Sequence, residues 1–341
     1  MKIEVSFRPH PLQFKRPART SRDVLTTKPS WLLYLRHEEK TGIGEVSIIE
    51  GLSPETSEIT LRSLQTLART GFTTATPLPD AHTQPALRFA LETALLSLQA
   101  QDPLVLFPSS FTSGLSAIPI NGLVWMDQPE SMKKQASEKI SEGFKVIKMK
   151  VGALDFADEL RVLEWFRTLY PPDQYILRLD ANGAFRADEA LQKLEKLAPF
   201  HVHSIEQPIR QNQHNEMRKL VTESPIPIAL DEELIANDHP EETLDFIRPH
   251  YVILKPSLHG GLAACEQIIA KASDLKIGWW ATSALESNIG LNAIAQWAAT
   301  KNNPLPQGLG TGSLYTNNIP SPLVVKQGHL HYTSEPWQLP S

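Results

Sequence analysis

An α/β barrel joined to a smaller α+β capping domain is the fold class this sequence predicts, and three observations predict it. Charged residues close a series of short apolar runs at Lys150, Asp180, Glu206, Asp231 and Lys255, in steps of 24 to 30 residues. That step is the length of a strand plus its crossover helix. The 341 residues exceed the ~250 of a typical barrel, leaving roughly ninety for a second unit. Finally, the pattern before about residue 115 is strands followed by helices, which is the signature of an α+β unit.

Taken in order, Ile3, Val5 and Phe7 alternate like a strand, and Trp31-Leu-Leu-Tyr-Leu35 is a compact apolar run ahead of Gly42-Ile-Gly44. Two amphipathic helices are expected next. Ile59, Leu61, Leu64 and Leu67 mark the first; Leu87, Ala90, Leu91, Ala94, Leu95 and Leu98, after Pro85, mark the second. Beyond residue 115 eight strand candidates recur: 118–126, 145–151, 175–180, 201–206, 226–231, 251–255, 277–282 and, most weakly, 305–309. Helical stretches separate them, such as Leu160, Leu163, Phe166 and Leu169. The expected division is a capping domain over 1–114, a barrel over 115–310 and a tail over 311–341 that packs back on the capping domain. Trp279 and Trp280 end a strand, so one ring should lie in the core and the other against the helix layer.

Composition removes several function classes. A net charge of −5 and a pI near 6.1, with Lys and Arg scattered, provide no basic face for nucleic acid. No run approaches the ~20 apolar residues that span a bilayer, and the amino-terminal segment lacks the apolar core of a signal peptide. A cytoplasmic location is the expectation. Oligomeric state is not legible. Cys265 falls on the apolar stripe Leu262, Cys265, Ile268, Ile269 and Ala272, which makes it a core residue rather than a nucleophile.

A parallel barrel gathers its strand ends at one mouth, so the charged ladder should surround a single pocket. Any one of Asp180, Glu206 and Asp231 could merely cap a helix or pair with a lysine. Three together repel one another unless a cation joins them. All-oxygen donors, with no clustered His or Cys, favour Mg²⁺ over zinc, Mn²⁺ being the alternative ion. Lys148 and Lys150 share one strand face, and two adjacent ammonium groups should pull a lysine pKa down toward the range of a base. Lys255, four strands further round, should face them. Two bases flanking a cation suit proton abstraction beside a carboxylate, so the expected partner is a small carboxylate substrate.

The motifs Lys148-Met-Lys150, Leu179-Asp-Ala-Asn182, Ile205-Glu-Gln-Pro208, Leu230-Asp-Glu232 and Leu254-Lys-Pro256 together resemble the enolase superfamily, whose Lys or His bases with Mg²⁺ are a known pattern. The two-lysine arrangement is similar to its muconate-lactonising subgroup. Pro119-Ile-Asn-Gly122, Ser283-Ala-Leu-Glu-Ser-Asn-Ile-Gly-Leu291 and Gly308-Leu-Gly-Thr-Gly312 most resemble the o-succinylbenzoate synthase family, lyases of menaquinone biosynthesis. The resemblance implies a (β/α)7β modified TIM barrel. It also implies Lys150 as the base, Lys255 as the cation beside the enediolate, and Asp180, Glu206 and Asp231 as Mg²⁺ ligands. Lys148, Asn182 and Glu232 would support them from behind. Ser283 and the backbone at Leu285 would receive the succinyl carboxylate, Arg178 would reach the substrate or form a barrel salt bridge, and Thr20 and Ser21 would belong to a lid.

Other readings share parts of this pattern. Paired lysines also serve an N-acylamino-acid racemase or a dipeptide epimerase, although the latter usually carries an Asp-x-Asp where this chain has Gly308 to Gly312. A Schiff-base aldolase would use Lys150 or Lys255 but leaves three carboxylates unexplained. A non-catalytic binding barrel would have no need to keep every metal and base position.

Overall fold

The computed structural model describes residues 2–19, 24–73 and 75–339. The chain begins with β1 (Lys2–Pro9), β2 (Leu12–Arg19), β3 (Val24–Lys28), β4 (Ser30–His37) and β5 (Lys40–Ser47). Helix α1 (Ser57–Thr70), the short β6 (Phe72–Thr73) and α2 (Pro85–Gln99) follow. One antiparallel sheet has the order β5-β4-β1-β6, and β2 and β3 form a separate hairpin. Alternation decides which face is covered: Ile3, Val5, Leu33 and Leu35 turn inward onto Leu87, Ala90, Leu91 and Ala94 of α2. Gly42 and Gly44 permit this contact, since a Cβ at either would run into the carbonyls of Ala94 or Ala90.

The barrel runs through β7 (Ile118–Pro119), β8 (Gly122–Val124), α3 (Pro129–Ser141), β9 (Val146–Lys150), α4 (Phe156–Leu169), β10 (Ile176–Asp180), α5 (Ala187–Leu197) and β11 (Val202–Glu206). It continues with α6 (His214–Glu223), β12 (Ile228–Leu230), α7 (Pro240–Ile247), β13 (Tyr251–Leu254), α8 (Leu262–Asp274), β14 (Gly278–Ala281) and α9 (Asn288–Thr300). Seven parallel strands, β8 to β14, lie side by side in sequence order. Ile147, Met149, Leu177, Leu179 and Ile205 face the helices, and the residues between them face the barrel axis.

Two strand expectations are corrected. The run 118–126 is two strands, because β7 leaves the barrel to pair antiparallel with β16 (His329–Tyr332) of the terminal hairpin β15 (Leu323–Lys326) and β16. Pro119, which has no N–H, stands where the chain switches partners. The eighth strand, expected over 305–309, is reduced to bridges: Gln307 pairs with Ile120 and Gly308 with Thr282. Four backbone hydrogen bonds complete the closure, among them Gln307 N–H to Pro119 O at 2.8 Å and Gly308 N–H to Ala281 O at 2.8 Å. The expected (β/α)7β barrel with a capping unit is the observed architecture.

The residues after the barrel touch both units. Tyr315 packs with Leu12, and its ring centroid lies 4.8 Å from that of Phe14. Ile319 joins Leu32 and Ile43. Glu45 of β5, fully buried, accepts from the N–H groups of Ser287 (2.8 Å) and Gly290 (2.9 Å), which fixes the capping sheet to the start of α9. Among the described residues no helix is long and apolar enough to cross a membrane. Cys265 is a buried core residue, and Trp280 lies in the barrel interior while Trp279 meets Trp297 of the helix layer.

Candidate active site

Parallel register builds the site. Lys150, Asp180 and Glu206 are Cα partners across β9, β10 and β11, and each ends its strand at the same mouth. Asp231 and Lys255 directly follow β12 and β13. All five side chains are buried, Lys150 and Lys255 at 9 % exposure and Glu206 and Asp231 at 0 %. Lys148 Nζ lies 3.0 Å from Asp180 Oδ2 and also binds Glu206. Lys150 Nζ donates to Asp180 Oδ2 at 3.0 Å and to Asn182 Oδ1 at 2.5 Å, and Lys255 Nζ donates to Asp231 Oδ2 at 2.5 Å. Asn182 in turn donates to Glu232 Oε1 at 2.9 Å, linking the first and third acids of the ladder, Asp180 and Asp231, through their neighbours.

The turns that present these groups are tight. Asn182, Gln207 and Leu285, none of them glycine, have φ of 43°, 38° and 64°, in the sparsely occupied left-handed region that collects at functional sites. Gln207 is a site residue to which the sequence reading assigned no role. Its Oε1 accepts from the N–H groups of Asp231 and Glu233 at 3.2 Å each, and its Nε2 donates to Glu233 at 3.0 Å, so it shapes the turn that carries Asp231. A buried amide between a strand-ending Glu and a Pro was the available signal.

Electrostatics separates the lysines from the sequence expectation. Burial disfavours the charge on Lys148, but Asp180, Glu206 and Asp231 outweigh it and hold its pKa above the ordinary lysine value. Lys255 moves the same way, burial being overcome by Asp231 and Glu232. For Lys148 the expected lowering by a neighbouring ammonium loses to closer carboxylates. Asp180, whose burial is countered by Lys148, Lys150 and Lys255, is held below the usual carboxylate range. Burial, with repulsion from Asp180 and Asp231, pushes Glu206 up to about 7, and burial with repulsion from Asp231 raises Glu232.

The donor set fits a hard cation. Asp180, Glu206, Asp231 and Glu232 converge on Lys148, Lys150 and Lys255, and the buried Arg178 guanidinium also acts on Glu206. Glu206 Oε1, Asp231 Oδ1 and Glu232 Oε2 are buried oxygens with no hydrogen-bond partner among the described residues. No three His, Cys, Asp or Glu side chains among the described residues already form a metal cage; the acids lean toward the lysines instead.

A cavity of about 600 Å³ opens over this floor. Lys148, Lys150, Asp180, Asn182, Glu232, Lys255, Ser283 and Leu285 all line it. Its apolar side comes from Phe14, Leu25, Trp125 and Leu314, four residues from separate segments that no local pattern connects. Asn121 also lines it, with Oδ1 buried and unpartnered among the described residues.

Arg178 is placed elsewhere. It is 1 % exposed, lies one strand-face step below Asp180, donates to Pro306 O at 2.8 Å and stacks its guanidinium 3.8 Å from the Trp280 ring centroid. It is not among the residues lining the cavity, and no carboxylate lies within ion-pair distance of it among the described residues, although the buried Glu206 acts on its charge. Trp280, which carries the guanidinium, packs with Ala229 and Ile253 in a small cluster of the barrel interior. Thr20 and Ser21 lie outside the described residues; Phe14 to Pro17 and Leu25 on either side of them line the cavity.

Comparisons with known proteins bear on this geometry. Residues 131–336 match the model of the family described as enolase C-terminal domain-like. The chain is 45 % identical to the o-succinylbenzoate synthase of Desulfotalea psychrophila, over 96 % of this chain and 98 % of that one. It is 28 % identical to the L-Ala-D/L-Glu epimerase of Bacillus subtilis, over 53 % of this chain and 50 % of that protein. Among solved structures, MenC from Desulfotalea psychrophila superposes with a TM-score of 0.86 at 42 % identity, covering 97 % of this chain and all of that one.

Proposed function

This chain belongs to the enolase C-terminal domain-like family, and on that footing we propose that it works as an o-succinylbenzoate synthase, a hydro-lyase. The substrate is 2-succinyl-6-hydroxy-2,4-cyclohexadiene-1-carboxylate and the product 2-succinylbenzoate. The observation that carries this reading is the likeness to the Desulfotalea synthase over nearly the whole of both chains.

In the reaction the C–H bond beside the ring carboxylate breaks, the C–OH bond on the adjacent ring carbon breaks, and water leaves as the ring becomes aromatic. Lys150, deprotonated, takes the proton and then returns it to the departing hydroxyl. Asn182 and Asp180 hold its Nζ at the cavity floor. Lys255 offers its ammonium to the developing enediolate from the other side of the cavity, with Asp231 fixing its position. Asp180, Glu206 and Asp231 are the residues that would hold Mg²⁺, which supplies positive charge where the carboxylate oxygens gain electron density. Lys148 balances Asp180 and Glu206 from beneath. The apolar wall of Phe14, Leu25, Trp125 and Leu314 excludes water from the diene.

Racemisation of N-acylamino acids is the second reading, favoured by Lys150 and Lys255 both lining one cavity. Dipeptide epimerisation is disfavoured: Gly308, Gly310 and Thr311 line the cavity where an acidic pair would hold a substrate amine. The lyase reading is tested by incubating the protein with the cyclohexadiene and Mg²⁺. Growth of an aromatic ultraviolet band that EDTA abolishes supports it; intact protein that produces no band refutes it.

A further inference from the structure

Lys255 directly follows β13, where the ladder of the strand ends and the chain turns toward α8. Its carbonyl accepts from the N–H groups of Leu258 at 2.8 Å and His259 at 3.0 Å. The His259 ring folds back over the same residue, its Nδ1 lying 3.0 Å from the Lys255 amide nitrogen and 2.8 Å from the Lys255 carbonyl oxygen. A ring nitrogen either accepts or donates according to its tautomer. In both cases the partner is the backbone of residue 255.

His259 is 7 % exposed and is not among the residues lining the cavity, and its Nε2 is buried with no hydrogen-bond partner among the described residues. Burying an imidazole with one nitrogen unpaired is costly, and an apolar side chain of similar size would fill the space without that cost. The tie through Nδ1 is what offsets it. The far end of the same loop is held from the capping unit: a Cβ at Gly260 would run into Ala81, and Glu92 of α2 accepts from the N–H groups of Leu262 at 2.6 Å and Ala263 at 2.9 Å at the start of α8. With that end fixed by Glu92, the turn at Lys255 takes its shape from residue 259.

We propose that His259 is a positioning residue for Lys255: its Nδ1 fixes the backbone where β13 ends and so directs the lysine ammonium to Asp231 and to the cavity. His259 touches neither substrate nor metal ligand in this role, and it acts through Lys255 alone. The inference deepens the lyase reading, from which it takes the part that Lys255 plays.

The test measures turnover of the cyclohexadiene carboxylate by full-length, Mg²⁺-loaded protein. His259→Leu fills the space but removes Nδ1, and because a small displacement of a reacting group is enough to slow the chemistry, kcat should fall roughly tenfold or more while KM stays within about threefold. His259→Asn places an amide where Nδ1 stands, able to accept or to donate, and should keep kcat within about threefold of wild type. His259→Gln carries its amide further out, at the place of Nε2, and should be as slow as the leucine variant. The contrast of asparagine with glutamine decides the point even where the leucine variant fails to fold. Wild-type kcat in the leucine or glutamine variant, or an asparagine variant as slow as the glutamine one, would overturn the proposal. A role in packing alone would lower the melting temperature and leave kcat of the folded enzyme unchanged, which overturns it as well. Crystal structures of the asparagine and glutamine variants read the same point without substrate: Lys255 Nζ should stay on Asp231 in the first and shift by about 1 Å or more in the second, and an unmoved Lys255 in the glutamine variant would contradict it. Wild-type protein that yields no aromatic product would refute the lyase reading, leaving the two crystal structures to decide the role of His259.

Discussion

Lys150 and Asp180 are opposite one another in the parallel register of β9 and β10, and their side chains meet at 3.0 Å at the barrel mouth. Thirty residues of sequence separate them, and one strand spacing separates them in the fold. That pairing places the proposed base and one of the proposed metal-holding acids side by side without any loop having to arrange them.

Replacing Lys150 with Ala should therefore abolish turnover and spare the fold. Loss of a general base costs roughly 10²–10⁴ in rate, and the residue ends a strand whose packing is done by Ile147 and Met149. Rates and circular dichroism of the variant check this; activity within tenfold of wild type would move the base to Lys255.

Mg²⁺ should raise the melting temperature, because three buried carboxylate oxygens, Glu206 Oε1, Asp231 Oδ1 and Glu232 Oε2, have no hydrogen-bond partner among the described residues and a cation would satisfy them. At a hundredfold excess over Kd the gain is about 2.7 kcal/mol. Asp231→Asn should remove most of the Mg²⁺-dependent shift. A thermal melt with and without Mg²⁺ reads both, and an equal shift in the variant would exclude Asp231 as a ligand.

Glu55 offers a pH test away from the metal site. It is 1 % exposed, its Oε1 accepts from the Ala86 N–H at 2.7 Å at the start of α2, and its Oε2 has no partner among the described residues. Burial pushes its pKa up to about 7. A raised acid pKa means the folded state holds the proton more tightly, so stability is fullest below the unfolded value of ~4.3 and falls as pH rises through about 7. Glu55→Gln should match wild type near pH 4 and be more stable at pH 8, by roughly 1–3 kcal/mol. Denaturant melts at both pH values decide it; a variant less stable at pH 8 would contradict the sign.

Trp280→Ala should be among the most damaging core changes. The ring is fully buried and carries the Arg178 guanidinium at 3.8 Å. Loss of the packing alone costs ~3–5 kcal/mol, and the arginine loses a desolvated cation–π partner worth ~2 kcal/mol. Chemical denaturation measures the sum; a loss below 1 kcal/mol would mean that the interior collapses around the gap.

The ladder was legible because its spacing is the βα repeat, and a barrel must bring such strand ends to one mouth. Asp180, Glu206, Asp231, Lys150 and Lys255 are accordingly neighbours in the structure. The eighth strand was faint in sequence because it is only a pair of bridges at Gln307 and Gly308. Phe14, Leu25, Trp125 and Leu314 could not be read as one wall, since they come from segments far apart that share no period. Ser283 was legible and lines the cavity, whereas its partners Glu286 and Thr311, 3 and 28 residues away, share no period with it and were not.

The most direct measurement compares two substrates on one preparation: the cyclohexadiene carboxylate, followed by its aromatic band, and an N-succinyl amino acid, followed by optical rotation, both with Mg²⁺. The account predicts Mg²⁺-dependent formation of 2-succinylbenzoate with a kcat/KM at least tenfold above that for racemisation. Racemisation without aromatic product would contradict it.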